Sequence, residues 1–563
     1  MRNERDLGTR RVGCFALAAW LALGLVQPLL AADGAASDPK PEEMKQRRKK
    51  AAQRRRRIIV DNDGNEVVYT LEKATKEALL AARTTGLVGT QVDTIVYCTW
   101  SSGFSFFTHN TKVGQVFDCT EQGFSKNKTR DFIEQGADAL KIVVDFCRQK
   151  GIEIFWSMRM NDTHDAWGGW YSPLLFPKLK KDHPEFLVSS MDRKSKCGGW
   201  TAVDYGRKEI RDLAFRFIEE VCQNYDVDGV MLDFFRHPVY FKRHAMGGVV
   251  GAEELDQMTS MIRRVRAMAD KVGLQRGRPI LIAVRTPDSV DYCRAMGLDV
   301  VRWMAEDLID LLVVSGYFRL NPWETSVKLG HKYGVPVYPC LSETRLRDKE
   351  ASQVRRSLDC YRARAMNVWH SGADGVLMFN YTNPRSPLWR QIGDPKTLAT
   401  ADRVYCTGAR GVKVINRWLV GGQRFLNRSP LSPERPRMLE PGKPVTVELR
   451  VGEDVSKGAV GGVTPDLKLA LRIAGAVNAE ALSVKLNGRP LDRGAMSAKQ
   501  PSAAPKAKPP AKAAVPETWV EYPLAPSSVR AGVNQLEVAL HRQGKTGIVL
   551  KDLLLWVRCG NAR

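Results

Sequence analysis

Asp233 lies in the most informative stretch of the sequence, Val227-Asp-Gly-Val-Met-Leu-Asp-Phe-Phe-Arg-His-Pro238. The short apolar run before it has the composition of a buried strand, and aromatic and basic residues follow it directly. Because side chains alternate along a strand, Met231 and Asp233 share one face, with Asp233 nearer the strand end. A carboxylate in that position can serve as an acid, a base or a nucleophile.

Glu343 follows a second apolar run, Val335 to Leu341. Two carboxylates facing one cavity are the minimum for cleaving a glycosidic bond, since one protonates the leaving oxygen while the other attacks the anomeric carbon or activates water. We therefore predict that Asp233 and Glu343 are the catalytic pair. The alternative is that both are in ion pairs, because Arg236 follows Asp233 while Arg345 and Arg347 follow Glu343.

Aromatic and polar residues near other predicted strand ends are typical of a sugar-binding site. Tryptophan faces stack on pyranose rings, and Asp, Asn, Arg and His side chains hydrogen-bond their hydroxyls. The alternative is that the tryptophans only pack a long loop. The predicted substrate-binding residues are Trp100, Arg159, Asn161, Asp162, His164, Trp167, Trp170, Arg236, His237, Arg285, Tyr317, Asn380 and Tyr381.

Metal chemistry is the competing interpretation of Asp162, His164 and Asp165, whose side chains are all common metal ligands. These residues have no recognisable ligand spacing, so we predict no metal and no other cofactor. His164 also leaves open a deacetylase or a lyase. A dinucleotide-binding fold is disfavoured because no glycine-rich fingerprint follows any predicted strand.

Eight strand-like segments must position these residues. They are Ile58 to Asp61, Thr94 to Trp100, Ile152 to Arg159, the Asp233 strand, Ile280 to Arg285, Leu311 to Tyr317, Val335 to Leu341 and Gly375 to Tyr381. Helix-like stretches separate them, among them Leu71 to Arg83, Arg130 to Lys150, Arg207 to Asn224, Ala252 to Val272 and Val354 to Ser371. This alternation predicts an α/β fold, a (β/α)8 TIM barrel, with the chemistry at the carboxyl ends of the strands.

The segments before the barrel predict an exported protein. Residues 1–32 have the pattern of a signal peptide, with arginines before an apolar run and small residues at its end. We expect a periplasmic or extracellular location, or a membrane anchor if the segment is not cleaved. Residues 33–57 are strongly basic, and we predict a disordered linker.

The predicted barrel covers residues 58–408, and a connection at 409–444 leads to an all-β domain at 445–563. Alternating apolar strands and the hairpin signal Asn487-Gly488 predict a β-sandwich resembling a jelly roll, with a disordered insert at 497–516. We expect this accessory domain to fold and act separately. The alternative is a structural buttress, because Trp418, Leu419 and Phe425 could dock the connection onto the barrel.

The formal net charge is +24, but most of the excess positive charge lies outside residues 58–408. A cleft of low net charge argues against nucleic acid as a partner. The basic termini of an exported protein are instead expected to contact anionic cell-envelope polymers. The eleven cysteines include no CxxC pair, so we predict mostly buried free thiols and no zinc site.

The stretch Asp-Gly-Val-Met-Leu-Asp-Phe-Phe-Arg-His-Pro resembles the signature of the glycosyl-hydrolase-like barrels called family 10-like, which are distantly similar to the α-amylase superfamily. The resemblance covers about residues 58–400, and His237 stands where that family usually has tyrosine. It implies a TIM barrel, polysaccharide hydrolysis and Asp233 as a catalytic residue. Two functions remain open: an exported glycoside hydrolase acting on an oligo- or polysaccharide, and a catalytically inactive glycan-binding protein of the cell surface.

Overall fold

A computed structural model describes residues 40–63, 65–457, 464–475, 481–492, 497–499, 516–541 and 547–560. The predicted signal peptide at 1–32 lies outside the described residues, and so do 33–39 of the predicted linker and 500–515 of the predicted insert. Among the described residues, no helix combines the length and the apolar character that crossing a membrane requires.

Eight parallel strands close into a barrel, in which each strand pairs with the next along the chain and the eighth pairs with the first. Labelled β1 to β8, they are Ile58–Asp63, Val92–Cys98, Glu153–Arg159, Gly229–Asp233, Leu281–Thr286, Leu311–Val314, Val337–Ser342 and Val376–Phe379. Their apolar side chains are buried on both faces, inside the barrel and under the surrounding helices. The predicted TIM barrel is confirmed.

Helices cover the outside of the barrel. The main ones are Lys76–Arg83, Thr129–Glu134, Ala139–Lys150, Lys208–Asn224, Ala252–Gln275, Val300–Ala305, Trp323–Lys332, Lys349–Arg356 and Leu358–His370. Shorter helical turns lie in the loops, at Asn65–Val68, Lys178–Asp182, Lys242–Ala245, Val290–Ala295, Pro395–Ala399 and Ile415–Trp418. The long apolar stripes of these helices explain why the periodic stretches could be recognised in the sequence.

The basic segment before β1 is ordered where the structure describes it, which corrects the predicted disordered linker. A helix covers Pro41–Ala52, and its Arg48 donates to Asp310 at 2.7 Å, just before β6. Arg56 is fully buried, and its Nε lies 2.7 Å from Glu153, the first residue of β3. The sequence predicts solvated basic residues here, whereas carboxylates at the amino-terminal end of the barrel bind Arg48 and Arg56 in ion pairs.

Two antiparallel sheets form the carboxyl-terminal part. One contains Arg403–Cys406, Ile548–Arg558, Asp466–Ala474, Glu517–Leu524 and Ser497–Lys499 in that order, with Arg437–Leu439 also paired to Ile548–Arg558. The other contains Val445–Val451, Gly532–Leu540, Leu482–Leu486 and Arg489–Pro490. Apolar residues of both sheets share one core, and Asn487 and Gly488 turn the predicted hairpin with positive φ angles.

The boundary between barrel and sheets differs from the predicted one at 408. Arg403–Cys406, assigned to the barrel from the sequence, pairs antiparallel with Ile548–Arg558 and is therefore an edge strand of the first sheet. The sequence does not show that this strand belongs to the β domain, because its partner strand lies far along the chain. The strand follows the last barrel helix closely in sequence, and the predicted barrel therefore included it.

Buried contacts join the sheets to the barrel. Arg355, in the helix Lys349–Arg356, binds Asp552 through two bonds of 2.6 and 2.5 Å, and both side chains are fully buried. Gly452 packs so closely on the backbone of Met366 that a Cβ atom there would lie 2.4 Å from its carbonyl oxygen. Barrel and sheets belong to one compact unit, so these contacts favour the buttress alternative over a separate module.

Candidate functional site

The backbone is strained at the carboxyl-terminal mouth of the barrel. Trp100, Ser315 and Asn380 follow β2, β6 and β8, and their φ angles are 82°, 72° and 55°. Residues other than glycine adopt this left-handed region at a cost, and they persist there where the surrounding structure holds them, often at functional sites. The strain indicates the mouth as the functional end of the barrel.

Asp233 lies in a buried ion-pair network at this mouth. The register between β4 and β5 places Asp233 beside Arg285. Nε of Arg285 donates to Oδ1 of Asp233 at 2.9 Å, and its Nη2 lies 2.8 Å from Oδ2. Arg285 also donates to Asp61 of β1 at 3.0 Å, and the Phe235 backbone N–H donates to Asp233 at 2.8 Å. The network fixes the position of the carboxylate and places the positive charge of Arg285 beside it.

A charged and fixed carboxylate suits some roles better than others. It can attack an electrophilic carbon or stabilise a positive charge that develops beside it, whereas a proton donor must carry a proton. Arg285 itself is fully buried, with its guanidinium carbon 4.0 Å from the centre of the Phe379 ring. Its contacts are those of a residue that positions Asp233.

Arg236, the ion partner that the sequence suggested for Asp233, lies elsewhere. Its guanidinium donates to the Tyr317 hydroxyl and lies over the rings of Tyr317 and Phe379, at 5.7 and 5.5 Å. Tyr317 in turn stacks on Phe235, with ring centres 5.8 Å apart. This aromatic stack joins the Asp233 strand to the loop after β6.

Glu343 follows β7 directly and is more open than Asp233. Its side chain is 38% exposed, and Arg345 donates to it at 3.3 Å. The suggested ion pair with Arg345 is therefore present, but it is long, and the Glu343 side chain stays partly exposed. Such a group can exchange protons with a bound ligand or with water.

Asp162, in the loop after β3, is fully buried and accepts several hydrogen bonds. Ser102 and Gly103 donate to it at 3.1 and 3.2 Å, and Nδ1 of His164 lies 2.8 Å from Oδ2. Burial alone would raise the pKa of Asp162, but His164 and Arg159 hold the pKa of that carboxyl well below its usual range. Asp162 therefore orients His164 and leaves the Nε2 atom of that ring for other contacts.

A metal ion could contact Asp162, His164 and His237 together, because one ligand atom from each lies within 4.8 Å of the others. Two of the possible ligand atoms already have hydrogen-bond partners, since Nδ1 of His237 accepts from the Thr163 backbone N–H at 2.8 Å and Nδ1 of His164 lies 2.8 Å from Asp162. Burial lowers the pKa of His237 well below its usual value, which keeps the ring neutral. Hydrogen bonding describes this cluster better than metal binding.

Asp165, the other metal ligand considered, binds Lys180 at 2.6 Å and also accepts from Thr201. Asn161 also has fixed partners, because its amide nitrogen donates to the carbonyls of Val203 and Val239 at 3.0 and 2.7 Å. Both residues therefore fasten the loops that surround the mouth.

The predicted aromatic residues divide into buried and exposed ones. Trp100 is 4% exposed and packs against Tyr69, Phe117 and Phe124, so it belongs to a small loop core. Trp167 and Trp170 are 37% and 52% exposed. These two rings are the partly exposed ones, and both lie on the loop after β3.

The remaining predicted binding residues, Arg159, Asn380 and Tyr381, also lie at the mouth. Arg159 pairs in register with Asp233 and donates to Asp162 at 3.3 Å. The Tyr381 hydroxyl lies 2.9 Å from Ser386, and Asn380 lines a small cleft together with Asp61. All thirteen predicted binding residues belong to barrel strands or to the loops at their carboxyl ends.

The connection also reaches this mouth, which the sequence left undecided. Arg417 lies over the Trp167 ring at 4.0 Å, and the Trp418 ring lies 5.5 Å from that of His237. Trp418 and Leu419 are each 5% exposed and pack in the barrel core cluster. The suggestion that these residues dock is thus supported by direct contacts.

His244 anchors the connection and should make stability depend on pH. It is fully buried, Nε2 donates to the Trp418 carbonyl at 2.7 Å, and burial lowers its pKa from 6.5 to about 4. Between pH 6.5 and 4, the unfolded chain is protonated at His244 and the folded chain is not. The free energy of unfolding therefore falls by about 3 kcal/mol as pH decreases through this range. His244→Gln should reduce this loss, whereas His370→Gln, at an exposed position, should not. Urea unfolding at pH 7 and 4.5 checks this, and equal pH dependence in all three proteins contradicts it.

No protein-family model matches the chain, and no curated protein matches it. Among solved structures, α-L-fucosidase isoenzyme 2 from Paenibacillus thiaminolyticus is 12% identical, with a TM-score of 0.36, over 61% of this chain and 48% of that one. A GH36 α-galactosidase from Geobacillus stearothermophilus is 10% identical, with a TM-score of 0.35, over 84% and 56%. A glycoside hydrolase family 18 N-acetylglucosaminidase from Paenibacillus barengoltzii is 12% identical, with a TM-score of 0.33, over 60% and 97%. The chain thus spans about half of the fucosidase, and similarities this distant carry no argument about function.

Proposed function

We propose that this protein is a glycoside hydrolase that cleaves an oligo- or polysaccharide at the carboxyl-terminal mouth of the barrel. The observation that carries the proposal is the Asp61–Arg285–Asp233 network, which fixes a charged carboxylate at a strand end. Glycosidic cleavage passes through an oxocarbenium-like state, and a fixed negative charge stabilises the positive charge that develops there. Asp233 is the nucleophile or the stabilising carboxylate in this account.

Glu343 is the proposed proton donor. It is the most accessible of the candidate acids, and its ion partner among the described residues is Arg345 at 3.3 Å. Asp162 fits the role less well, because Ser102, Gly103 and His164 already bind its oxygens. Glu343→Gln should therefore lower kcat more for substrates with poor leaving groups than for activated aryl glycosides.

The exposed rings of Trp167 and Trp170 provide the proposed sugar-stacking surface. Trp170→Ala should raise KM by about tenfold with a small effect on kcat, since stacking away from the scissile bond contributes to binding in both ground and transition states. Met191→Ala is a matched control, because Met191 is 73% exposed. Steady-state kinetics on one oligosaccharide tests this, and an unchanged KM would contradict a stacking role.

Export is proposed from the amino-terminal sequence. Residues 1–32 have the pattern of a cleaved signal, so secreted material should begin near Ala32 or Asp33. Amino-terminal sequencing of the secreted protein tests this, and Met1 on a membrane-bound product would contradict it. The basic residues of the termini, apart from Arg48 and Arg56, which bind barrel carboxylates, are the proposed contact with anionic envelope polymers.

Glycan binding without turnover is the second candidate, and one observation favours it. Both Asp233 oxygens are engaged by Arg285 and one also by Phe235, and the side chain is 3% exposed. A panel of oligosaccharides, assayed for binding and for new reducing ends with the same purified protein, separates the two functions. Binding without product on every bound glycan would favour the second.

A further inference from the structure

A cavity of about 300 Å³ lies beside the mouth, between the barrel and the carboxyl-terminal sheets. Its wall includes the loop after β6, the end of β7, the helix Leu358–His370, the connection and the strand Val445–Val451. Five arginines line it, and we call it the arginine cavity: Arg319, Arg364, Arg410, Arg428 and Arg450. The volume is that of a small ligand site.

Most of these arginines lack an acidic partner. Arg450 binds Glu324 at 2.8 Å, but among the described residues none of the other four has a carboxylate within ion-pair distance. Among the described residues of the cavity wall, Glu448 is the one acid, and it is exposed. Asp288 acts on Arg319 and Arg428, and Glu343 acts on Arg410, only from beyond ion-pair distance. The arginines around the cavity therefore outnumber the acids near them.

The neutral contacts of the four arginines leave donors available. Arg410 and Arg364 donate to the hydroxyl and the carbonyl of Ser342, each at 2.8 Å. Arg428 donates to the Thr407 carbonyl at 3.0 Å, and Arg319 to the Asn321 carbonyl at 2.9 Å. A guanidinium has five N–H donors, so most of them have no partner in the described part of the chain, where Nη1 of Arg364 is also buried without one.

Burial and the positive charges of neighbouring arginines both lower the pKa values of guanidinium groups in the arginine cavity. Burial, together with Arg345, lowers the pKa of Arg410 to about 10. Burial likewise lowers the pKa of Arg428, and burial with the neighbouring Arg428 lowers that of Arg319 well below its usual value. Half-buried like charges destabilise one another unless an anion lies between them.

We propose that the arginine cavity binds an oxyanion, the carboxylate, phosphate or sulfate of an acidic sugar unit. Planar guanidinium groups bind these anions through paired N–H bonds, which is the recognition that several convergent arginines provide. The substrate class is then an acidic glycan, a statement that rests on the proposed glycoside hydrolase function.

Direct contacts join the arginine cavity to the candidate catalytic group. Arg410 lies over the Tyr317 ring at 5.6 Å, and Tyr317 stacks on Phe235, whose N–H donates to Asp233. Gly316, in the cavity wall, faces the Phe235 ring, because a Cβ atom there would lie 3.0 Å from it. A chain with one unit at Asp233 can thus place a neighbouring acidic unit at the arginines.

Calorimetric titration with sodium phosphate and sodium sulfate, against sodium chloride at equal ionic strength, tests the binding site. Saturable binding of at least one oxyanion to the full chain is expected, and Arg410→Gln and Arg428→Gln should each weaken it by about tenfold or more. Arg216→Gln removes the same charge from an exposed helix position and should bind as the wild type does. Titrations that match chloride, or equal weakening in Arg216→Gln, overturn the site.

Two further measurements keep the result interpretable. Without oxyanion, Arg410→Gln and Arg428→Gln should unfold at or above the wild-type temperature, since each removes one of several repelling charges. Arg428→Lys keeps the positive charge but not the planar guanidinium, so it should bind the oxyanion with intermediate affinity. A hydrolysis rate that is equal on acidic and neutral oligosaccharides overturns the substrate class. Asp233→Asn separates the proposals, because it should abolish hydrolysis and leave oxyanion binding intact.

Discussion

Asp233→Asn should lower kcat/KM on the best substrate by at least about a hundredfold, or about 3 kcal/mol of transition-state stabilisation. The substitution keeps the side-chain volume but removes the charge that Arg285 fixes at the mouth. Arg285 retains Asp61 at 3.0 Å, so the variant should still fold, with reduced stability. Initial rates on the substrate, normalised to the folded fraction, give the measurement.

Asp310→Asn is the matched control for Asp233. Asp310 is also buried between arginines, with Arg48 and Arg266 at 2.7 and 2.8 Å, but it precedes β6 at the opposite end of the barrel. Its replacement should lower stability and leave kcat/KM unchanged. If both variants lose activity in proportion to their stability, Asp233 is a structural residue and the catalytic assignment fails.

A chain ending near Arg410 should not fold into a stable protein. It lacks Ile548–Arg558, the partner strand of Arg403–Cys406, and it leaves the fully buried Arg355 without Asp552. Breaking a buried ion pair on one side alone costs about 3–5 kcal/mol, and the uncovered barrel helix adds to this. We expect aggregation of the truncated chain, observed by size-exclusion chromatography and by thermal unfolding.

The point variant Asp552→Asn tests the same contact in the full chain. It should lower the free energy of unfolding by about 3–5 kcal/mol in urea titrations. Glu440→Gln breaks an exposed ion pair with Lys443 and should have no measurable effect. A truncated chain that melts cooperatively near the full-length temperature would restore the sequence-based expectation of a separate accessory module.

The barrel could be predicted from the sequence because its strands are buried on both faces. Segments such as Val230 to Leu232 have no polar partner, so a continuous apolar run marks each strand and its polar end marks the mouth. The hairpin at Asn487 was equally readable, since a two-residue turn with positive φ favours Asn-Gly. These features depend on local sequence alone.

The partners of the site residues could not be predicted in the same way. Arg285 is 52 positions after Asp233 in the chain, and the contact arises from the register of β4 and β5. Proximity in sequence favoured Arg236 instead, which the fold directs to Tyr317. Periodicity identifies a strand, but it does not determine the partner of each residue across the sheet.

Basic residues misled the prediction for a related reason. The run at 45–57 was interpreted as solvated, because charge runs usually are, but Asp310 and Glu153 bind Arg48 and Arg56. The arginine cavity was missed because its residues are scattered from Arg319 to Arg450. No spacing rule brings such residues together before the sheets pack against the barrel.

Cleavage of oligosaccharides in ¹⁸O-labelled water, followed by mass spectrometry of the products, tests the central claim most directly. Neutral and acidic oligosaccharides are incubated with the wild type and with Asp233→Asn at equal folded concentration. Hydrolysis at the barrel mouth predicts one labelled oxygen at each new reducing end, with acidic glycans cleaved faster and the product nearly lost in Asp233→Asn. Unlabelled unsaturated products, or bound glycans that are never cleaved, would contradict the account.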